Sequence, residues 1–569
     1  MSQEPPKAPP QRRRIGEGRI WSLVAIAVAA LVLAPILSVG WIALFPTENI
    51  WPHLMATTLP RYFGNTVKLA VGTGILAAIM GAGTAWLVSM YEFPGRRWLE
   101  WLLVLPLAVP AYVGAYALAD FLDYSGPVQI ALRETFGWTS ARDYWFPRIR
   151  SLPSAVVVIA ASAFPYVYLL SRAAFREQSG GIYEVARALG IGGWRLFGRV
   201  GLPLARPAIV AGATIVMMES VADYGTVAYF GVQTLNTGIF TTWLEGRNAG
   251  GAAQLAMVIL VIVVLLTGLE RISRGRARFH RGARQNRPLI RQRLTGACAA
   301  LATAACLFPF LLGFVLPVAV ILKYALAYPQ GWFGPGLLRA LTHTVTLGGL
   351  AAAITLVLAL LMVYGVRLSR SRLPSMLLPV TMVGYAAPGA VLAVGILFPL
   401  AALDHRLADA VTAITGSDPG LILTGSGFAI VLAYVVRFFA IAQNTVDSAF
   451  TRVSPSLPMA ARLLGRNRAQ VLTGIYLPLM KGSLGSALLL VFVDCAKELP
   501  ATMLLRPFNY ETLATRVHQR ASLEDLGNAA PAALLVMAVS MVAVLLLARS
   551  NLGLHNARAR AIAESDVPA

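Results

Sequence analysis

Charged residues are scarce in this chain of 569 residues: Asp, Glu, Lys and Arg together make up 13% of it, whereas 57% is hydrophobic. The mean hydropathy is +0.66. A soluble domain carries roughly 25% charged residues. So little charge in so long a chain excludes a soluble globular protein, because most residues must lie where a charge is costly.

Catalytic and metal-binding motifs are also missing from the sequence. It contains no G-x-x-x-x-G-K-[ST] phosphate loop, so the chain is not expected to hydrolyse ATP itself. Neither H-E-x-x-H nor G-x-S-x-G occurs, which leaves a metalloprotease or an α/β-hydrolase without support. The three cysteines, Cys298, Cys306 and Cys495, fit no metal-ligand spacing and are interpreted as small apolar side chains within membrane spans.

Long hydrophobic runs dominate what is present. Twelve runs have the length of a bilayer-crossing helix, which needs about 20 apolar residues. They are centred near residues 33, 77, 110, 161, 218, 261, 310, 354, 389, 437, 493 and 540. Membrane β-strands are shorter, at about 10 residues, and alternate in polarity. The sequence therefore predicts an all-α, polytopic membrane protein with about twelve transmembrane helices.

The net charge of +22 would suit nucleic acid, but the placement of the basic residues argues against that partner. When twelve spans alternate from a cytosolic N-terminus, most Lys and Arg fall in cytosolic segments, as the positive-inside rule requires. Residues 123–151 are an exception, because this outer segment carries four arginines. We therefore predict a multi-pass protein in the lipid bilayer, with both termini cytoplasmic and no nucleic acid bound.

Matching residues indicate a tandem duplication of two six-helix halves. Asn65-Thr66-Val67 opens the second span and His343-Thr344-Val345 opens the eighth, 278 positions later, and Pro110 and Pro388 share that offset. Halves with an even number of spans have the same orientation, and a pathway then follows an axis along the membrane normal. We expect Pro110 and Pro388 to bend their helices beside this pathway, since broken membrane helices usually face protein or a wet cavity.

The predicted organisation has five parts. They are a disordered cytosolic N-tail (1–19), a first half (20–270), a basic cytosolic linker (271–293), a second half (294–549) and a cytosolic C-tail (550–569). The linker carries nine arginines and is interpreted as a cytosolic connection rather than a nucleic-acid arm.

A polar, basic segment occurs twice, at an offset of 275 residues. The two copies are EVARALGIGGWRLFGRVGLP, residues 184–203, and MAARLLGRNRAQVLTGIYLP, residues 459–478. Gly190 and Gly465 lie where a short helix should end, so each is expected to adopt a positive φ. Pro203 and Pro478 are expected to stop a second short segment before the next span. We predict two equivalent docking sites for a cytosolic partner.

This pattern resembles the EAA loop of type I ABC importer permeases: Glu-Ala-Ala, three residues, Gly, nine residues, Ile, any residue, Leu-Pro. In that family the loop forms a coupling helix that docks into a groove on the ATP-binding subunit. Met459 stands where the motif has Glu, so the two docking sites are not expected to be identical. By this resemblance the docking residues are Glu184, Ala186, Gly190, Leu202 and Pro203 in the first half and Ala460, Ala461, Gly465, Leu477 and Pro478 in the second.

Pairs of carboxylates follow each repeated segment. Glu219 and Asp223 match Asp494 and Glu498 at the same offset of 275. The spacing i, i+4 places each pair on one helix face, and buried charges in spans usually line a pathway or pair internally. With Tyr224 and Lys497, we predict that they line the translocation pathway. Four carboxylates with phenolic oxygen nearby would attract a hard metal cation.

The competing interpretation of these acids is a structural ion-pair network. Lys497, Lys68 and Arg437 all lie within predicted spans and are candidate counter-ions. The two interpretations are compatible with each other.

Three further stretches, ADYGTVAYFG, TGIFTTW and KELPATMLLRPFNYETLATRV, resemble permeases of ferric-iron importers in which both halves are fused. That resemblance implies a bacterial inner-membrane permease that moves Fe³⁺ by alternating access. Its partners would be an ABC ATP-binding homodimer, which holds ATP-Mg, and a periplasmic substrate-binding protein. The chain itself would be no enzyme, bind no cofactor and hold no firm metal site, with Fe³⁺ in transient contact with Glu219, Asp223, Asp494 and Glu498.

Other functions stay open at this stage. Permeases for thiamine, polyamines and oxyanions share the superfamily, and the repeated loop does not distinguish between them. A different class, an ion-coupled secondary transporter, would use the membrane carboxylates as proton or cation sites. It would not require the paired loop.

Overall fold

The computed structural model describes residues 15–178, 180–275, 291–369, 371–382, 384, 387–542 and 545. The predicted C-tail, the predicted N-tail up to residue 14 and linker residues 276–290 lie outside the described residues. Residues 15–19 and 271–275, predicted as tail and linker, are helical.

Helices account for nearly all regular structure in the described residues. The first half contains α1 (Ile15–Leu44), α2 (Trp51–Ala56), α3 (Leu59–Met90), α4 (Arg96–Leu102), α5 (Ala111–Leu122), α6 (Pro127–Phe136), α7 (Leu152–Glu177), α8 (Gly180–Ala188), α9 (Gly193–Leu196), α10 (Leu202–Ala222), α11 (Gly225–Tyr229), α12 (Leu235–Phe240) and α13 (Ala249–Gly275). The second contains α14 (Gly296–Phe310), α15 (Leu316–Ala327), α16 (Leu337–Leu368), α17 (Arg372–Val380), α18 (Gly389–Thr415), α19 (Phe428–Thr451), α20 (Ser456–Leu463), α21 (Arg468–Val471), α22 (Leu477–Ala496), α23 (Pro500–Leu505), α24 (Leu513–Ser522) and α25 (Leu526–Val542).

The predicted all-α, polytopic fold is confirmed. Ten of the described helices are long and apolar enough to cross a bilayer, or eleven if a bent pair counts as one span. That pair, Arg96–Ala108 and Ala111–Phe136, bends by 97°, and Pro110 stands at the N-cap of its second member. The described part of the run predicted near residue 540 is α25 (Leu526–Val542), and most of the remainder of that run lies outside the described residues.

The same hydrogen bonds recur in both halves at an offset of 278 residues. The backbone N–H of Leu235 donates to Thr66 Oγ1 at 2.9 Å, and that of Leu513 donates to Thr344 Oγ1 at 2.8 Å. One position earlier, Asn65 Nδ2 donates to a backbone carbonyl at 2.8 Å and His343 Nδ1 does so at 3.0 Å. Asn and His are interchangeable here because each offers an N–H donor. The recurring Asn/His-Thr pair thus fixes the segment after the fifth and eleventh spans.

Each half begins with a helix that packs on the other half. Helix α1 packs against α16 and α18 as well as α13, and Ser22 Oγ lies 2.7 Å from Ser369 Oγ. Conversely, α15 packs against α5 and α14 against α3. The largest hydrophobic core accordingly contains buried residues of both halves.

Glycine permits a close contact between α3 and α7 in the first half. A Cβ at Gly81 would lie 2.6 Å from Val167 Cβ and 2.8 Å from the backbone nitrogen of Tyr168. Small residues at membrane-helix interfaces allow such backbone approach. The two helices therefore depend on the absence of a side chain at this position.

Gly81→Ala is expected to lower the free energy of unfolding by about 1–3 kcal/mol, because overpacking forces backbone shifts. The matched control is Gly83→Ala on the same helix, where a Cβ would meet nothing within 4 Å. Thermal unfolding of the detergent-purified chain measures both. Equal melting temperatures for the two variants would contradict the tight α3–α7 contact.

Candidate functional site: the repeated loops and the central cavity

Both repeated segments form a short helix closed by a left-handed glycine. Helix α8 is followed by Gly190 at φ +79°, and α20 by Gly465 at φ +83°. The N–H of Ile191 donates to Ala186 O at 2.9 Å, and that of Arg466 donates to Ala461 O at 3.1 Å. These are the bonds of a Schellman motif, which satisfies the last carbonyls of a helix. The predicted positive φ at both glycines is confirmed.

Each loop buries one alanine of the motif and exposes a leucine close to its glycine. Ala186 and Ala461 are buried, and so is Tyr183, whose ring lies 5.8 Å from that of Trp86. Leu189 and its counterpart Leu464 are exposed. Of the other predicted docking residues, Ala460, Gly190, Gly465, Leu202, Pro203 and Pro478 are exposed, and Glu184 and Leu477 are half-buried. Met459, in place of the motif Glu, is exposed.

The prediction that Pro203 and Pro478 stop a segment is wrong. The helices run on through both prolines as the continuous spans Gly193–Ala222 and Arg468–Ala496. A π-helical turn precedes each Leu-Pro pair, at Phe197–Gly201 and Leu472–Tyr476. Proline lacks an N–H and its ring clashes with the carbonyl four residues back. Widening the preceding turn accommodates proline without ending the helix.

A cavity of about 140 Å³ lies between the two halves. Its lining includes all six residues predicted for a pathway, which are Glu219, Asp223, Tyr224, Asp494, Lys497 and Glu498. Arg437, Tyr112, Tyr166 and Ser162 line it as well, together with the bend at Pro110. Pro388 caps α18, where the next residue, Gly389, packs directly against Arg437 and Glu498. The structure thus brings the predicted acids of both halves together.

The predicted i, i+4 helix face is wrong, because the helix ends within each pair. Glu219 lies in the last turn of α10, whereas Asp223 follows its end and caps α11. Asp223 Oδ1 accepts from the N–H of Thr226 at 3.0 Å and of Val227 at 3.1 Å. A carboxylate at a helix N-terminus satisfies otherwise unpaired backbone donors. Asp223 therefore has a structural contact besides its place in the cavity lining.

Glu498 repeats this arrangement in the second half. Its Oε1 accepts from the N–H of Ala501 at 2.9 Å, and its Oε2 accepts from the N–H of Thr502 at 3.1 Å. Asp494 lies in α22, which ends at Ala496. Each half therefore contributes one acid from the end of a span and one that caps the next short helix.

Two cations balance part of this negative charge, and both lie in the second half. Arg437 Nη1 donates to Glu498 Oε1 at 2.8 Å, and Lys497 Nζ lies 2.8 Å from Asp494 Oδ1. The predicted ion pairs are confirmed for Arg437 and Lys497, whereas Lys68 is exposed and stands outside the cavity lining. Four carboxylates and two cations give the lining a formal charge of −2 (−4 + 2).

Within the described part of the chain, no group of three or more His, Cys, Asp or Glu side chains is placed to hold a metal ion. The four acids therefore line the cavity without forming a coordination site.

An aromatic contact between the halves, beside the cavity, was not predicted. Tyr116 lies one turn beyond Tyr112, and its hydroxyl lies 2.8 Å from Nδ1 of His518 on α24. Burial, with Arg506 nearby, lowers the pKa of His518 to about 4, so this imidazole adds no charge at pH 7. Neither residue belongs to a motif, and only tertiary packing brings them together.

Comparison with known proteins identifies the family. A profile of the family described as "binding-protein-dependent transport system inner membrane component" matches residues 70–278. The molybdenum transport system permease protein of Escherichia coli is 30% identical over 237 residues, which cover 39% of this chain and 99% of that protein. The chain belongs to this family. It is an ABC-type permease and an integral inner-membrane protein.

Longer relatives show that the permease has the fused, two-half form. The Fe(3+)-transport system permease protein of Haemophilus influenzae is 25% identical over 499 residues, covering 87% of this permease and 90% of that protein.

The sulfate transport system permease protein CysT of Escherichia coli is 25% identical over 251 residues, covering 42% of this permease and 85% of that protein. The names of the relatives thus include different cargoes.

Proposed function

We propose that this permease is the membrane subunit of an ATP-driven importer of ferric iron. The observation that carries the proposal is the cavity between the halves, lined by four carboxylates and two cations. A net negative lining attracts a cation and repels an oxyanion such as molybdate or sulfate. The extent of the match to the Fe(3+)-transport permease supports the same cargo.

The two cations do not offer an anion site. Arg437 and Lys497 each contact a carboxylate at 2.8 Å, and the Glu498 side chain is only 1% exposed. An incoming oxyanion would have to displace these carboxylates from their counter-ions. A cation would interact with these carboxylates without displacing them from their counter-ions.

The two repeated loops are the proposed docking sites for a homodimeric ABC ATPase, which holds ATP-Mg. Their exposed leucines and buried alanines suit insertion of each short helix into a groove. A periplasmic binding protein delivers the cargo on the opposite side, and both termini are cytoplasmic. In this assembly the permease binds no cofactor and catalyses no reaction.

One helix in each half joins the loop to the cavity. The span Gly193–Ala222 has 30 residues, so it is about 45 Å long at 1.5 Å per residue. It begins beside the first loop and carries Glu219 near its other end. A displacement of the loop by the ATPase therefore moves the cavity wall in the same half, which is the basis of alternating access.

Uptake into reconstituted vesicles tests the cargo. Vesicles containing the permease, its ATPase and its binding protein are supplied with radioactive iron, molybdate, sulfate, thiamine or polyamine. We expect ATP-dependent accumulation of iron alone. Accumulation of an oxyanion instead would overturn the iron proposal, and iron uptake by vesicles without the ATPase would indicate a secondary transporter.

Gly190→Val with Gly465→Val is expected to abolish most ATP-driven uptake by misdirecting both loops. Neither position is crowded, since a Cβ would meet nothing within 4 Å. The cost arises from the backbone, because a left-handed conformation costs an L-residue about 1–2 kcal/mol. Co-purification with the ATPase and uptake are the two measurements.

The control for this variant lies in the same loop. Gly192 has φ −124°, and a Cβ there would also meet open space. Gly192→Val should therefore retain assembly and uptake. If the double glycine variant also binds the ATPase and transports normally, the loops are not docking sites.

A further inference from the structure

A cluster of arginines lies where three spans end on the side of the repeated loops. Helix α3 ends at Met90, α7 ends at Glu177, and α14 begins at Gly296. The parallel pairing of Tyr91–Glu92 with Gln292–Arg293 ties these ends together. We call Arg96, Arg97, Arg172, Arg176 and Arg291 the arginine cluster.

One part-buried carboxylate accepts hydrogen bonds from three of these arginines. Glu100 accepts from Arg96 Nη1 at 3.1 Å, from Arg176 Nη2 at 2.5 Å and also from Arg172. The side chains of Glu100 and Arg172 are each 12% exposed. Arg96 makes a second ion pair, with Glu92 at 2.8 Å.

The cluster keeps a surplus of positive charge. Five arginines face Glu92 and Glu100, and the surplus persists if Glu177, next to Arg176, is counted as a third carboxylate. Burial lowers the pKa of Arg291, and Arg96 and Arg176 lower it further. An anion beside the exposed guanidinium groups of Arg97 and Arg291 would relieve the repulsion and supply hydrogen-bond acceptors.

Two tryptophans on α4 place the cluster at the membrane surface. Trp98 is 77% exposed and Trp101 is 37% exposed. The Arg172 guanidinium lies 5.7 Å from the centre of the Trp101 ring. Tryptophan is enriched at the level of lipid headgroups, and basic residues there attract anionic lipids.

We propose that the arginine cluster binds the headgroup phosphate of an anionic phospholipid, with Trp98 and Trp101 beside its glycerol and upper acyl region. A protein partner fits less well, because the described residues at the equivalent positions of the second half do not repeat the cluster. At the repeat offsets, Arg96, Glu100 and Arg172 correspond to Pro374, Leu378 and Asp447. A symmetric ATPase homodimer would meet the cluster on one side only, whereas lipid needs no such symmetry.

Lipid binding by the purified full-length permease tests this proposal. Native mass spectrometry measures retention of phosphatidylglycerol and phosphatidylcholine from mixed micelles. We expect preferential retention of phosphatidylglycerol, and roughly 25-fold weaker binding for Arg97→Gln/Arg291→Gln, since each basic residue near the surface contributes about 1 kcal/mol, or about fivefold. Both side chains are exposed, so the variant is expected to fold.

Two further variants separate lipid binding from a structural role. Glu92→Gln removes a half-exposed carboxylate and should strengthen retention of phosphatidylglycerol, which simple loss of stability would not do. Arg372→Gln, on α17 at the equivalent level of the second half, should change nothing. Equal retention of phosphatidylglycerol by wild type and Arg97→Gln/Arg291→Gln would overturn the proposal. So would displacement of the lipid by millimolar inorganic phosphate, which would indicate a site for soluble anions.

Discussion

Arg437→Met is expected to lower the free energy of unfolding by about 3–5 kcal/mol, the cost of leaving a buried charge without its partner. The Glu498 side chain is 1% exposed, and its Oε1 lies 2.8 Å from Arg437 Nη1. Gly389 packs directly against both groups and encloses the pair on that side. Thermal unfolding of the detergent-purified permease measures the loss.

A second variant separates the ion pair from the bulk of the arginine side chain. Arg437→Met/Glu498→Gln removes the uncompensated charge and should recover at least half of the lost stability. The matched control is the more exposed pair of Arg367 and Asp447, 2.7 Å apart, where Arg367→Met should cost at most about 1 kcal/mol. If Arg437→Met and Arg367→Met melt at the same temperature, the buried pair does not stabilise the cavity wall.

Glu219→Gln is expected to reduce ATP-driven iron uptake at least tenfold while leaving the ATPase complex intact. The substitution changes the formal charge of the lining from −2 to −1. One unit charge at about 5 Å from another contributes ~3 kcal/mol at an effective dielectric constant of about 20, which exceeds the 1.4 kcal/mol of a tenfold effect. Uptake by reconstituted vesicles and co-purification of the ATPase are the two readouts.

The control for Glu219 keeps the net charge constant. Asp494→Asn/Lys497→Gln removes one carboxylate and the cation that lies 2.8 Å from it, so the lining stays at −2. We expect a smaller loss of uptake than for Glu219→Gln. Wild-type iron uptake by Glu219→Gln would show that the cavity charge does not attract the cargo. The acids would then have only a structural role.

Local signals explain what the sequence predicted correctly. The position of Gly190 and Gly465 at helix ends predicts a positive φ, since glycine adopts it without a Cβ strain penalty, and both glycines have it in the structure. The membrane spans are also predicted by a local signal, the hydropathy of each run. The recurrence of acids at a fixed offset also located the cavity, because duplicated halves place matching residues around one axis.

Two predictions from the sequence are wrong because the local pattern on which each depends is compatible with two backbone structures. Proline after a helical turn predicts a stop, yet a π turn allowed the helix to continue at Pro203 and Pro478. The i, i+4 spacing predicts one helix face for each acid pair, yet α22 ends at Ala496, between Asp494 and Glu498. Pro500 at the start of α23 is the local signal for that break, since proline is common in the first turn of a helix. The contact of Arg437 with Glu498 has no local signal, because it joins two helices.

The exchange of first helices between the halves has a consequence for how the chain is made. Ser22 on α1 and its partner Ser369 are 347 residues apart. At about 5–20 residues per second, α1 enters the membrane roughly 20–70 s before that partner is synthesised. During this interval only lipid and the first-half helices surround it. Biogenesis of the first half is therefore incomplete until the ribosome has passed the end of α16, however early its own spans insert.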